Sequence, residues 1–136
     1  TMKESLLSLV ENSRTYTLAV AGAMPEKLDN FKPAADTWSF REQLHHIAYG
    51  INWWKKNYIE GIKTDWEPPA TSGSRKEVVA YLDQAFHSLK ETINKAAINE
   101  DRIKGFFATM VHITHHRGQV IVYLRCNGIT PPEYNW

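Results

Sequence analysis

The stretch MVHITHHRGQVIVYLR, residues 110–125, decides the fold class because its pattern is helical. Its second half is rich in β-branched residues, but no hairpin turn flanks it and it continues a long helical pattern. Downstream, Gly128 can take the left-handed conformation that follows a helix, and the prolines of CNGITPP prevent continuation. We predict a final helix that starts after the segment NEDRIKG, residues 99–105, and ends before Gly128.

Clusters of proline and glycine divide the rest of the chain into three more helical blocks. The first covers about residues 3–23, the second begins at DTWSFREQLHH and ends near Glu60, and the third begins after residue 74. The second and third blocks each open with a serine followed three residues later by a glutamate, which is the spacing of a capping box. These pairs are Ser39 with Glu42 and Ser74 with Glu77.

The apolar residues of the third block recur on one face at helical spacing. They are Val78, Leu82, Phe86, Leu89 and Ile93. Four helices of roughly 20 residues predict an all-α four-helix bundle that forms a single domain over residues 1–136. The linker at about residues 61–73 is the longest, and it would let the third helix run parallel to the second through a crossover.

Composition excludes several classes of function. The 136 residues carry a net charge of +1, so no basic field is available to hold nucleic acid. No apolar run approaches the ~20 residues needed to cross a bilayer, so no membrane association is expected. The single cysteine, Cys126, excludes an internal disulfide framework and fits the reducing cytoplasm. We expect Cys126 to be a small buried hydrophobic residue.

Three of the six histidines lie within residues 112–116. On a helix that turns ~100° per residue, His112 and His116 lie about 40° apart, with Gln119 and Tyr123 on the same side. Arg117 points the opposite way and should seek water, so the histidine stripe should face inward. An inward pair at i and i+4 is a metal-ligand geometry. The alternative is two histidines that hydrogen-bond to polar groups in a wet core.

A third ligand would come from the second helix, where His45 and His46 lie on either side of the apolar face. Geometry barely separates these two histidines. His46 shares its side with Gly50, where the missing side chain leaves room for something bound. Glu42, one turn before His46, could orient that ring, although a solvated residue near a helix start is the simpler interpretation.

The chain resembles the DinB/YfiT superfamily of small bacterial metal-binding proteins. The resemblance rests on FKPAADTWSFREQLHHIAYG, residues 31–50, and HITHHRGQVIVYLRCNGITPPEY, residues 112–134. It implies an up-down-down-up bundle that binds a divalent metal, zinc or nickel among others, through one histidine of the second helix and two of the fourth. Those positions fall on His46, His112 and His116, and leave His45 and His115 as neighbours without a ligand role.

The resemblance also implies activities, since characterised relatives include thiol transferases and isomerases that act with bacillithiol, mycothiol or glutathione. We therefore predict a metal-dependent enzyme of the thiol S-transferase or hydrolase type, with a small-molecule substrate and a low-molecular-weight thiol as candidate partner. The alternatives are a metal- or ligand-binding bundle without turnover, and a purely structural bundle without an ion. Gln119 could hold substrate or water near the metal, or could orient an imidazole.

Two further expectations concern assembly and pH. Many relatives are homodimers, and Trp53 points away from the apolar face of the second helix, where a monomer would leave it wet. Trp53 could instead cover the metal pocket. Because free imidazoles take up protons near pH ~6.5, metal binding should weaken below that pH.

Overall fold

The computed structural model describes residues 1–134, and four α-helices account for most of them. They are α1 (Met2–Ala23), α2 (Phe40–Trp54), α3 (Arg75–Lys95) and α4 (Glu100–Cys126). A short 3₁₀ turn, Glu26–Leu28, follows α1, and a π-helical turn, Lys55–Ile59, prolongs α2. No strand is present among the described residues, so the predicted all-α class is confirmed.

The predicted helix caps are present. Ser39 Oγ accepts a hydrogen bond from the backbone N–H of Glu42, and the Glu42 carboxylate accepts one from the backbone N–H of Ser39. Ser74 and Glu77 make the same reciprocal pair at the start of α3. These bonds satisfy donors that the first turn of a helix otherwise leaves without partners.

The start of α4 differs from the prediction. Asn99 caps the helix by accepting a hydrogen bond from the backbone N–H of Arg102, so α4 begins at Glu100 and Gly105 lies inside it. The prediction that the helix starts after Gly105 is therefore wrong. A Cβ atom at Gly105 would overlap the carbonyl of Tyr58, so glycine here permits close approach of the π-helical turn rather than ending a loop.

Contacts at the helix ends fix the direction of α3. Arg41 at the start of α2 donates to the carbonyl of Gly73, just before α3. Lys55, immediately after α2, donates to Ser88 in the second half of α3. The two helices are therefore parallel, as the crossover linker predicts. At the other side of α3, Lys3 near the start of α1 donates to the carbonyl of Asn94, so α1 and α3 are antiparallel.

The same reasoning places α4. Gln43 near the start of α2 bonds Gln119 late in α4, so α2 and α4 are antiparallel. On α1, Ser13 accepts a hydrogen bond from Arg117, and Tyr16, further along α1, donates to the carbonyl of Pro132, beyond the end of α4. These contacts make α1 and α4 parallel. The bundle is thus up-down-down-up, with α1 and α2 at opposite corners.

The core lies between the four helices. The predicted apolar face of α3 is buried, as are the first four residues of the corresponding face of α2. On α2 these are Phe40, Leu44, Ile47 and Ile51. None of the helices formed by residues 1–134 is both long and apolar enough to span a membrane.

Two side chains lie opposite to expectation. Arg117 is only 5% exposed, because Ser13 and Thr17 on α1 accept its hydrogen bonds and its guanidinium lies over the ring of Tyr16. Cys126 is exposed as a free thiol in the last turn of α4. The predictions for both residues are wrong.

Candidate metal centre

Three imidazoles converge between α2 and α4. The Nε2 atom of His46 lies 2.9 Å from Nε2 of His116 and 3.2 Å from Nε2 of His112. The ring centroids of His112 and His116 are 4.6 Å apart. One potential ligand atom from each ring lies within 4.8 Å of the other two, so the structure brings together the three histidines that the sequence singled out.

The spacing suits a small divalent ion. In tetrahedral zinc sites the metal–nitrogen bond is about 2.0–2.1 Å, which places neighbouring ligand nitrogens roughly 3.3 Å apart. The separations from His46 Nε2 are close to that distance. The hydrogen bonds of these three rings join them to one another and, for His116, to the side chain of Gln119, and Nδ1 of His112 and of His116 is buried without a partner among residues 1–134.

Gly50 makes the convergence possible. A Cβ atom at this position would overlap Cε1 of His112, because the ring of α4 packs directly against the backbone of α2. The sequence correctly indicated that Gly50 leaves space beside His46. What fills that space is the imidazole of His112.

Burial keeps the three imidazoles neutral. Desolvation, together with the smaller repulsion between neighbouring protonated rings, lowers the pKa of His46, of His112 and of His116 to about 4 in each case. A neutral imidazole is the form that binds a metal. Protons therefore compete for these nitrogens in the folded chain at a lower pH than the ordinary value of ~6.5 suggests.

The two neighbouring histidines stay outside the cluster. His45 is buried on the other side of α2, with its ring 5.3 Å from that of Tyr81, and burial lowers its pKa. His115 is exposed, and its Nε2 accepts a hydrogen bond from the amide of Gln119. Neither residue belongs to the group of converging ligand atoms.

Aromatic side chains surround the cluster. The Trp38 ring lies 4.3 Å from that of His46 and 6.0 Å from that of His116, measured between centroids. From the long linker, Trp66 approaches His46 and His112 at 5.6 and 6.4 Å. Sequence reasoning did not identify Trp38 or Trp66, because linker residues carry no periodicity that would place them against a helix.

Trp53 holds this linker. Its indole N–H donates to the carbonyls of Thr64 and Asp65, and its ring lies 5.2 Å from that of Trp66. Trp53 is therefore half-buried under the linker that crosses the histidines. Of the two interpretations that the sequence left open, its contacts fit a residue that covers the site better than one left wet in a monomer.

A chain of polar side chains leads from the cluster into a cavity of about 500 Å³. Gln43 Nε2 donates to Gln119 Oε1 at 2.8 Å and to the hydroxyl of Tyr123 at 3.3 Å. All three residues, together with Trp38, line the cavity. Gln43 was missed because its neighbours His45 and His46 carried the obvious chemistry. Tyr123, which lies on the same side of α4 as His112 and His116, lines the pocket and does not join the converging ligand atoms.

Glu42 acts at the helix start. Its carboxylate accepts the backbone N–H of Ser39 at 2.9 Å, and this hydrogen bond is the main cause of its lowered pKa. No hydrogen bond joins it to His46 within residues 1–134. The simpler of the two sequence-based interpretations therefore fits, except that Glu42 is a capping residue rather than merely a solvated one.

These features define an all-α bundle with a three-histidine cluster that could hold a metal ion. The chain belongs to the DinB superfamily, whose family model matches residues 9–120, and a second model, of the DinB family, matches residues 106–136. The fold is similar to the crystal structure of a DinB-like protein from Bacillus cereus, with a TM-score of 0.80, 18% sequence identity and 97% of each chain covered. No curated protein matches the chain at a significant level.

Proposed function

We propose that His46, His112 and His116 hold one divalent metal ion, zinc or nickel, as the centre of a metal-dependent enzyme. The observation that carries this proposal is the convergence of three neutral imidazoles. The Nε2 atoms of His116 and His112 lie 2.9 and 3.2 Å, respectively, from Nε2 of His46. Three protein ligands leave a coordination position for water or substrate, which is the arrangement of catalytic rather than structural zinc sites.

The reaction type that we propose is thiol S-transfer or hydrolysis. A bound divalent ion lowers the pKa of a thiol or a water molecule and so supplies a nucleophile at neutral pH. The chain's own contribution is to keep the imidazoles neutral by burial, to limit access of water with Trp38 and Trp66, and to offer the adjoining cavity to a small molecule. A cavity of about 500 Å³ lies within the range of small-ligand sites.

Gln119 belongs to the cavity wall in this proposal. Its amide bonds Gln43 and His115, and a side-chain hydrogen bond from Gln119 also acts on the pKa of His116, so its position fits both contact with substrate or water and orientation of that imidazole.

Metal analysis tests the first part of the proposal. Protein purified without an affinity tag should retain a divalent ion near one equivalent per chain, and dialysis against a chelator should remove it. Retention of no metal by wild-type protein, even after incubation with zinc or nickel, would contradict the proposal and support a purely structural bundle. The second part calls for a screen of low-molecular-weight thiols against electrophiles and esters, with chelator-treated protein as the control.

A bundle that binds metal or ligand without turnover is the second candidate. It is favoured by the position of Glu42, because the carboxylate nearest to His46 along α2 is tied to the helix start and is not free to act as a general base. Full metal occupancy with no activity against any substrate of the screen would support this candidate.

We also propose that the chain forms a homodimer in the cytoplasm. The support for a dimer is the outer side of α4, where Phe107, Val111 and Val122 are exposed. The support for the compartment is the exposed free thiol of Cys126, which a reducing environment preserves. Sedimentation should give a dimer at micromolar concentration, and Val111→Glu should shift it to monomer. A monomeric wild-type chain would reject the dimer.

A further inference from the structure

The side chains that line the cavity beside the histidine cluster carry formal charge of only one sign, which is negative. Its lining side chains come from the loop before α2 and from α2 and α4, and the indole of Trp38 separates the cavity from His46 and His116. The lining residues are Pro33, Asp36, Thr37, Trp38, Gln43, Gln119, Val122 and Tyr123. A molecule in this space therefore lies within one side chain of the proposed metal.

Asp36 carries the only formal charge of the lining. No lysine or arginine lines the cavity, and within residues 1–134 Asp36 has no salt-bridge partner. A carboxylate without a protein cation attracts a positively charged ligand and repels an anionic one. The charge of this cavity thus opposes carboxylate- and phosphate-bearing ligands.

The hydroxyl groups of the lining already donate their hydrogen bonds to backbone carbonyls of the protein. Tyr123 donates to the carbonyl of Trp38 at 2.7 Å, and Thr37 donates to the carbonyl of Ala34 at 2.8 Å. Because the proton of Tyr123 is committed, Gln43 has to turn its NH₂ group toward that hydroxyl, which fixes the orientation of the amide.

This orientation leaves one acceptor without a donor. Gln43 is 3% exposed, and its Oε1 atom is buried with no hydrogen-bond partner among the described residues. A buried carbonyl without a donor costs free energy, and a ligand that brings an N–H group to it would recover that cost. The face of the Trp38 indole can add cation–π attraction for the same ligand.

From these features we propose that the cavity selects small molecules that carry a primary ammonium group. The ammonium group would meet the Asp36 carboxylate, and its N–H groups or those of a neighbouring amide would reach the carbonyl of Gln43. The inference rests on the proposed function in that it names the substrate class of the same site: an amine-bearing thiol or electrophile is preferred over an acidic one.

The test uses two probes of similar size that need no metal, phenethylamine and phenylacetate. Each is titrated into the wild-type chain, with binding followed by the chemical shift of the indole N–H of Trp38. We expect phenethylamine to bind at least about ten-fold more tightly than phenylacetate, since a cation gains and an anion loses attraction to the carboxylate. Equal or tighter binding of phenylacetate would overturn the proposal.

Two matched variants locate the effect. Asp36→Asn should weaken phenethylamine binding about three- to five-fold, as expected for a partly exposed charge pair. Asp65→Asn removes the same charge from the linker, at a residue that does not line this cavity, and should leave binding unchanged. Equal effects of the two variants would mean that only net charge matters, which contradicts a site at Asp36.

The metal content of each sample is measured separately. An amine preference that depends on Asp36 in a chain that binds no metal would leave the cavity proposal standing and reject the proposed enzyme. Metal binding without the amine preference would do the reverse.

Discussion

Two groups of polar side chains lie in the core of the bundle, one on each side of α4. On the side of α1, the guanidinium of Arg117 donates to Ser13 and Thr17 at 3.2 Å each and lies over the ring of Tyr16. On the side of α2, the hydrogen bonds of His112 and His116 lead to His46 and, for His116, also to Gln119. The guanidinium is buried and satisfied by hydroxyl groups of a neighbouring helix, whereas His112 and His116 are half-buried and the Nδ1 atom of each has no partner among residues 1–134.

The difference separates a structural from a functional role. A buried polar group whose donors are satisfied adds to the specificity of packing, and the chain needs nothing more at that place. Imidazoles that converge without protein partners are costly until something binds them. The histidine cluster is therefore the place where an ion could be held and would stabilise the folded chain, whereas the surroundings of Arg117 are complete without one.

The strongest way to break this comparison is to remove one imidazole. His116→Ala should lower the affinity for a divalent ion by more than about 100-fold, beyond the 10–100-fold effect of outer-shell changes, because a direct ligand is lost. Competition with a chromophoric chelator measures the affinity. His115→Ala is the matched control, since its ring is exposed and outside the cluster. Loss of metal in the His115 variant and retention in the His116 variant would reverse the assignment of the helix face.

The pair His46 and His45 gives the same contrast on α2. His46→Ala should lose the ion, whereas His45→Ala should keep it because that ring packs near Tyr81 instead. The same chelator competition applies. Helix geometry inferred from the sequence barely separated these two histidines, so this pair tests what the structure adds to the assignment. An equal loss in both variants would show that His45 also supports the site.

A smaller effect is expected when the space for His112 is filled. Gly50→Ala would force the ring away from the cluster, and metal affinity should fall roughly 10–100-fold, comparable to a change in ligand orientation. Gly118→Ala on α4 is the control, because nothing lies within 4 Å of a Cβ atom there. That variant should keep its metal affinity and gain about 0.5–1 kcal/mol in the free energy of unfolding, measured with denaturant. Undiminished metal affinity in the Gly50 variant would contradict the close packing of α2 on His112.

The side of Arg117 should respond in stability and not in metal binding. Arg117→Met leaves two buried hydroxyl groups without their donor and should lower the free energy of unfolding by about 1–3 kcal/mol. Urea titration of the metal-free chain measures this change, and the metal affinity of the folded variant should match that of the wild type. A large loss of affinity would show that the two polar groups are coupled through α4.

A pH dependence of stability should be confined to the histidine side. In the folded metal-free chain, the pKa of His46, of His112 and of His116 is about 4, whereas in the unfolded chain it is near ~6.5. Between these values the unfolded chain binds more protons, so stability is highest above pH ~6.5 and falls as pH decreases toward ~4. Thermal unfolding of wild type and of His116→Gln at several pH values checks this, and the variant should show the weaker dependence. An equally steep loss in the variant would assign the pH effect to other groups.

Metal release should follow the folded-state values. Because the pKa of the clustered histidines is lowered to about 4, the loaded chain should keep its ion below pH ~6.5, where the ordinary imidazole value predicted that binding would weaken.

The local features could be predicted because neighbouring residues determine them. Ser39 with Glu42 and Ser74 with Glu77 satisfy helix starts through bonds that span three residues. The apolar positions of α3 recur with the helical period and are buried as that period requires. His112 and His116 were chosen over His115 because a helix turn of ~100° per residue places them on one side. The accompanying premise that Arg117 faces water was wrong.

The start of α4 could not be predicted from neighbouring residues in the sequence. Glycine in the segment NEDRIKG suggested a break, but Gly105 is a place where the backbone of Tyr58 comes close, and that contact joins distant parts of the chain. The burial of Arg117 likewise depends on hydroxyl groups that lie about a hundred positions earlier on α1, and no local pattern reports them.

The sequence by itself determined four helices, the caps and buried faces of α2 and α3, and the candidate pair on the last helix, because these follow from periodicity and from hydrogen bonds between near neighbours. The resemblance in motifs, not the spacing, singled out His46 from His45. Only the tertiary structure decided that the three Nε2 atoms meet, that Gly50 makes room for His112, and that Gln43 lines a cavity while its buried Oε1 atom has no partner among residues 1–134. Those facts depend on how α2 packs against α4, and packing between helices is set by contacts that the order of residues along one helix does not contain.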